Sequence, residues 1–408
     1  MKVLLMADAL ELGGVASSVL RLANALLSRG IEVDVYCPFH FRVDRKVIGG
    51  FNNITVYYYQ PKRGSDFAIN RVDGLLKRIG LSFYFRRNLS YLYIKKICMK
   101  KKYDIVHSNL LHSAIIACNL KEKFDLRHIH TLRGGIDGYS LRILRGQRTQ
   151  IDGCEKHLKR IFCSVDIWIY LTEKNLIIKE LMEKFKIKIG DDRFVKVYNV
   201  PELAKISMKK ANGSLVRFAF MGRGEGPVVK EKGLEYALRS FIDGGFEKKS
   251  LLYVYSDGEY INFLKQLYGQ EKGIIFSGYA YDRSVIYENT DVGLFPSIAN
   301  ESFPNVVTEF LCNGIPVIAT DVGECRKLLT QNEHAMGFVI SVDKDKHLFL
   351  KRNQDEEFII AELKNYMNKY CNDRALLNEH RANTEYINKI VDENDIAQRH
   401  MEIYGKSV

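Results

Sequence analysis

DVGLFPSIANESFPNVVTEFLCNGIPVIATD, residues 291–321, decides how the rest of the chain is read. Asp291 to Pro296 is an apolar run of strand length, and Ser297 to Ser302 is a polar loop. The spacing from Phe303 to Cys312 predicts a helix with Pro304 near its first position, where a missing N–H costs nothing. Asn313-Gly314 ends that helix, and Ile315 to Ala319 is the next buried strand. The unit is strand, loop, helix, strand, and its first loop falls at the carboxyl edge of a parallel sheet, where open α/β folds bind ligands. The N–H groups of Phe303, Asn305 and Val306, at the positive end of the helix, suit an anion or a phosphate-bearing sugar.

Two carboxylates bracket this element, Glu301 in the loop and Glu309 in the helix, with seven residues between them. The helix carries Glu309 more than a turn from its start, so two separated polyol groups can be held at once, and a carboxylate readily accepts sugar hydroxyls. An isolated pair at this spacing reads more readily as a capping acid, Glu301, and a solvated helix residue, Glu309. Here Pro-Ser, Phe-Pro-Asn-Val and Gly-x-Pro-Val-Ile-Ala-Thr-Asp stand in register around it.

Working outward, 408 residues exceed what one hydrophobic core serves, so two domains are expected. No apolar run is long enough to cross a bilayer, and the opening Met1 to Ala7, followed at once by Asp8, reads as a first strand rather than a signal peptide. A cytoplasmic location is the expectation. The eight cysteines show neither Cys-x-x-Cys nor zinc-finger spacing, and most of them read as reduced core residues. The net charge of +12 favours anionic partners without choosing among them.

In chain order, Lys2 to Ala7, a glycine loop, a helix from Val15 to Ser28 and Ile31 to Cys37 make a β-α-β unit with Gly13-Gly14 at the helix start. Adjacent glycines are not the G-x-G-x-x-G of dinucleotide-binding folds, which weakens an NAD reading, but Gly13 or Gly14 can still let a phosphate approach the backbone. Lys62 to Lys102 carries twelve Lys and Arg against only Asp66 and Asp73, interleaved with Leu, Ile, Phe and Tyr. That mixture suits an anionic membrane interface, or else a helix packed on its own domain with solvated lysines. No nucleic-acid recognition pattern accompanies it. Strands ending at His107, at His130-Thr131-Leu132-Arg133 and at Leu171 follow, and His107, His130 and Arg133 together read as an acceptor-side wall. A hinge is expected at Ser207 to Ser214. The second domain opens with Val216 to Gly222, then Arg223, Gly226, Lys232 and Gly233, a phosphate cradle in physical terms. Further strands end at Asp257-Gly258 and Gly278, and residues 354–404 read as helical.

The 291–321 stretch, with the Gly-Gly start and Lys232-Gly233, resembles the retaining GT-B glycosyltransferases, specifically glycosyltransferase family 4 (group 1). The resemblance implies an α/β fold of two facing Rossmann-like, doubly wound domains. Residues 1–200 would bind the acceptor and 201–385 the nucleotide sugar, with 386–408 forming a helix that crosses back to the N-terminal domain. It implies that Arg223 and Lys232 hold the donor diphosphate with Gly222 and Asp257 beside them, and that Glu309 takes the ribose hydroxyls. Glu301 would lie by the donor sugar, with Ser302 and the backbone of Phe303, Pro304, Asn305 and Val306 fixing its hydroxyls. It further implies transfer with retention from a nucleotide-diphosphate sugar, UDP-linked by preference, to a glycan or lipid-linked acceptor in bacterial surface polysaccharide synthesis. The location would be the cytoplasm or the inner face of the plasma membrane. No cofactor or metal is implied, and no Asp-x-Asp stands in a loop assignable to the cleft.

One departure is present: the family's Thr-x-His-Gly loop reads Thr131-Leu132-Arg133-Gly134 here. Either Arg133 marks an altered or acidic sugar, or His130 substitutes from nearby. The competing readings are a catalytically idle GT-B subunit that binds a partner transferase, against which Arg223, Lys232, Glu301 and Glu309 all stand, and a sugar-nucleotide epimerase of the same fold, which lacks this two-glutamate spacing.

Overall fold

Apolar segments alternating with glycine-bearing loops become two parallel sheets in a computed structural model. The structure describes residues 1–51, 53–62, 64–78, 84–147, 149, 153–203, 215–225, 229–299, 301–331, 334–342 and 354–405. The hinge expected at 207–214, Gly226, Arg63, Leu81 and Phe83 lie outside them, as do the side chains of Lys77 and Tyr84.

The chain separates into two compact units, residues 1–200 with 393–408, and residues 201–392. In the first unit, β1 (Lys2–Ala7), β2 (Glu32–Cys37), β3 (Thr55–Tyr58), β4 (Ile105–Asn109), β5 (Arg127–Thr131), β6 (Ile167–Tyr170) and β7 (Phe194–Lys196) pair in the order β3-β2-β1-β4-β5-β6-β7. All pairings are parallel, and Leu5 sits opposite Val35 on one side and His107 on the other. Helices cover both faces, so β1 is almost wholly buried and its sequence is nearly unbroken Val, Leu and Met. Trp168 of β6 is fully buried and packs edge-on to Phe162 and His130.

In the second unit, β8 (Val216–Met221), β9 (Ser250–Tyr255), β10 (Ile274–Phe276), β11 (Val292–Phe295) and β12 (Val317–Thr320) precede a small antiparallel pair, β13 (Thr330–Gln331) with β14 (His334–Ala335). The chain then adds β15 (Gly337–Ile340), giving the parallel order β10-β9-β8-β11-β12-β15. In both sheets the strand order reverses between a first strand (β1 or β8) and the fourth (β4 or β11). Such switch points open a crevice beyond the carboxyl ends of the strands.

The sequence-predicted helix over 303–312 begins two residues later, at Asn305, and ends at Cys312. Pro304 is its N-cap, in extended backbone, rather than its first helical residue. The stretch 354–404 is broken. Asp373 accepts a hydrogen bond from the Leu376 N–H and starts a new helix, Arg374–Asn383, which runs into a 3₁₀ segment, Thr384–Lys389. Residues 386–392 therefore belong with the second unit, and only the helix Glu393–Gly405 joins the first. There the Tyr404 hydroxyl meets His107 Nδ1 at 2.8 Å, and Arg127 donates to the carbonyls of Ile403 and Tyr404.

Candidate functional site

At the switch point of the second sheet, the loop after β8 and the loop after β11 come together. Glycine makes this possible. A Cβ on Gly233, whose φ is +78°, would lie 2.1 Å from the Pro296 carbonyl oxygen, and one on Gly323 would lie 2.6 Å from that of Ser302. Gly224 is pressed as closely against the Asp257 carbonyl, which joins the end of β9 to the same edge.

Within this frame Lys232 forms an ion pair and hydrogen bond with Glu301 Oε1. The fully buried Ser297 hydroxyl donates to the same oxygen at 3.1 Å. The loop is pinned from below, where the Ile298 N–H donates to the Glu231 carbonyl at 2.7 Å and Thr320 Oγ1 donates to the Ser297 carbonyl. Arg223, in the loop after β8, is exposed and has no ion pair among the described residues. The Asp257 carboxylate accepts from the Gly258 N–H at the start of the helix Glu259–Tyr268.

Glu309 is not a solvated helix residue: it is 4 % exposed. Its helix is drawn onto β11 because Gly293 leaves room for the Phe310 ring. Arg283 lies in its field. Burial works against the charge of Arg283, but Glu309, followed by Tyr279, Tyr287 and Glu202, holds its pKa above the ordinary value. Arg283 also donates to the Tyr279 hydroxyl at 3.1 Å.

The first unit corrects part of the sequence reading. His107 and His130 have no exposed surface and form no wall. His107 bridges the Tyr404 hydroxyl and Thr131 Oγ1 (2.7 Å), while Ser108 Oγ links His128 Nε2 (2.8 Å) to His130 Nδ1 (2.7 Å). Alternate residues of a strand face opposite ways, and these turn inward. Burial pushes His130 down to about 3 and His400 to about 4, and takes His107 and His128 well below their ordinary value, so all four are neutral.

Arg133 does reach the carboxyl edge. Its Nε donates to Asn109 Oδ1 at 2.7 Å and its Nη1 to Asn199 Oδ1 at 2.5 Å. Gly13 and Gly14 open the helix Gly14–Leu27 beside the end of β1, with the Gly13 carbonyl bonded to the Ser17 N–H. Arg86 and Arg87, counted with the basic surface of residues 62–102, are buried at 2 % and 5 % exposure and add nothing to it.

Sequence reasoning passed over Ser297, Arg283, Asn109 and Asn199. Asn109 and Ser297 stand at or just past the ends of apolar strands, and Asn199 follows β7 by three residues; that position was the available signal. Among the described residues no helix is long and apolar enough to cross a membrane, and no cysteine is in a disulfide.

Comparison with known proteins accords with this geometry. The HepE protein of Anabaena, solved with UDP and glucose, superposes with a TM-score of 0.71 over 100 % of both chains at 15 % identity. Sucrose-phosphate synthase of Thermosynechococcus elongatus does so at 0.67, over 99 % of this chain and 98 % of that one, at 17 % identity. The fold is that of the GT-B glycosyltransferases. A model of glycosyltransferase family 4 matches residues 12–174 and one of group 1 glycosyl transferases matches residues 216–352, most of the chain between them. The chain belongs to this family and is a glycosyltransferase. A relative from Escherichia coli, "UDP-Gal:alpha-D-GlcNAc-diphosphoundecaprenol alpha-1,3-galactosyltransferase", is 23 % identical over 356 residues, covering 80 % of this chain and 90 % of the relative.

Proposed function

We propose that the chain transfers a sugar, with retention and without a metal ion, from a UDP-sugar to a glycan or lipid-linked acceptor in surface polysaccharide synthesis. The observation that carries this reading is the Lys232–Glu301 pair, braced by Ser297 at the β8/β11 switch point and walled by glycines. A diphosphate drawn to the cations of this edge competes with Glu301 for Lys232 and engages the exposed Arg223. As the bond from the sugar to the diphosphate breaks, these two cations stabilise the charge that develops on the leaving oxygen. The departing phosphate takes the acceptor's proton, so no protein nucleophile is needed. Glu301, released from Lys232, faces the sugar with Ser302 and the backbone from Phe303 to Val306, and Glu309 takes the ribose hydroxyls. The donor and the diphosphate-linked lipid in the E. coli relative's name support the choice of UDP and of a lipid-linked acceptor.

The reading extends to an anionic membrane surface, on the cytoplasmic side. The two acids of residues 62–102 are both engaged within the unit. Asp66 is taken by His40 and Arg86, and Asp73 is buried and accepts the N–H groups of Phe85 and Arg86. What the helix Ser65–Arg78 leaves exposed includes Phe67, Arg71, Val72, Leu75 and Arg78, a mixture of apolar and cationic groups.

Calorimetric titration with UDP, GDP and ADP, with and without magnesium, on wild type and Glu309→Ala tests the donor part. The expected result is metal-independent binding of UDP that is weakened in the variant; absence of binding to all three overturns it in favour of an idle subunit. Sedimentation with phosphatidylglycerol vesicles tests the membrane part, which fails if Phe67→Ser with Leu75→Ser binds them as well as wild type does.

A further inference from the structure

Arg133 is a cation that the first unit orients without neutralising. Both of its hydrogen-bonding partners are amide oxygens. The Asn109 amide is fixed, since its Nδ2 donates to the Met6 carbonyl at 3.0 Å and leaves Oδ1 for Arg133. No carboxylate lies within ion-pair distance of Arg133 among the described residues. The titratable groups that feel its charge, His107, His130 and His400, are buried and neutral. The packing disfavours the charge of Arg133 itself, which falls to about 10. It is a partly buried cation at the edge of the unit with no counter-ion among the described residues.

The place is also concave. Arg133, Thr131, Asn199, Ser18 and His400 help line a small pocket, open to solvent, beyond the ends of β5, β6 and β7. The guanidinium has five N–H groups. Two are used by Asn109 and Asn199, which leaves three, both of those on Nη2 among them, for the oxygens of an acid group. Were the side chain a strut alone, aspartates would hold it more strongly than asparagines do.

We propose that Arg133 and its pocket form an oxyanion-binding site in the first unit, which takes a carboxylate or phosphate group of a substrate. Because this site rests on the first unit alone, its failure leaves the donor reading untouched, and the reverse holds too.

The test follows the Arg133 Nε–Hε resonance in ¹⁵N spectra of the full chain, assigned with Arg133→Gln. Inorganic phosphate, glucuronate and glucose are titrated separately. Saturable shifts are expected with phosphate, glucuronate or both, and none with glucose; which acid responds identifies the group. Asn199→Asp supplies the missing counter-ion in place, so it should keep the fold and weaken anion binding at least tenfold. No shift with either acid, or equal binding by wild type and Asn199→Asp, overturns the proposal.

Discussion

The two sheets share a strand order and a switch point, yet their carboxyl edges are built in opposite ways. In the second unit the polar groups meet as an exposed or half-exposed set: Lys232 on Glu301, Ser297 beneath, Arg223 in solvent, with glycines allowing loop to touch loop. In the first, the polar residues of β4 and β5 are folded inward as a neutral net of His107, Ser108, His128 and His130, and Arg133 carries its charge at the rim without an ion-pair partner among the described residues. Topology locates an edge where a ligand can bind. The direction in which each side chain points decides whether its chemistry is available there or is spent on the core.

The strongest way to break this contrast is Lys232→Ala. If the second edge is where the leaving charge is stabilised, kcat for sugar transfer falls about 100- to 1,000-fold with the circular dichroism spectrum unchanged. A product assay showing less than a tenfold loss would make the pair a structural one. Next is Glu309→Gln, which keeps the size of the side chain and removes the charge that Arg283 feels. Donor nucleotide affinity should fall about 10- to 100-fold by calorimetry, the range of one charge-assisted hydrogen bond.

Gly233→Ala tests the loop contact. At φ +78° and with the Pro296 oxygen in the way, alanine should lower stability by about 1–2 kcal/mol in urea unfolding and push the Lys232 loop outward, raising KM for the donor. An unchanged midpoint would show that the close approach is dispensable.

A further prediction concerns the first unit and acid. Its histidines have folded-state pKa values below their unfolded ones, so below about pH 6.5 the unfolded chain takes up protons that the folded one refuses. Stability is then full above pH 6.5 and drains away toward pH 3–4, with a slope of up to about 1.4 kcal/mol per pH unit for each histidine. Trp168, the single tryptophan of the chain, lies in that unit and reports on it by fluorescence in denaturant titrations at pH 7 and pH 5. Equal midpoints at both would sink the account.

Much of this was legible beforehand for physical reasons. Strands of a doubly covered parallel sheet are apolar runs, so β1, β8, β11 and β12 stand out, and the Glu301–Glu309 spacing survives as a pattern because loop and helix are contiguous in sequence. The misread histidines share one cause. A histidine ending a strand looks the same whether it points to solvent or to Tyr404, and Tyr404 is almost three hundred residues away. The pair β13 and β14, two residues each, is too short for any alternation to register, and Pro304 fits a helix start equally well as cap or as first residue.

The helix Glu393–Gly405 has a consequence for synthesis. Because His107 and Arg127 find their partners on Tyr404 and Ile403, the first unit is discontinuous along the chain, and the whole of the second is made before its last piece appears. On the ribosome the amino-terminal half must wait, with the sites for that helix uncovered, while the later half emerges and folds. Completion of the first-born unit is thereby deferred until the second has been made.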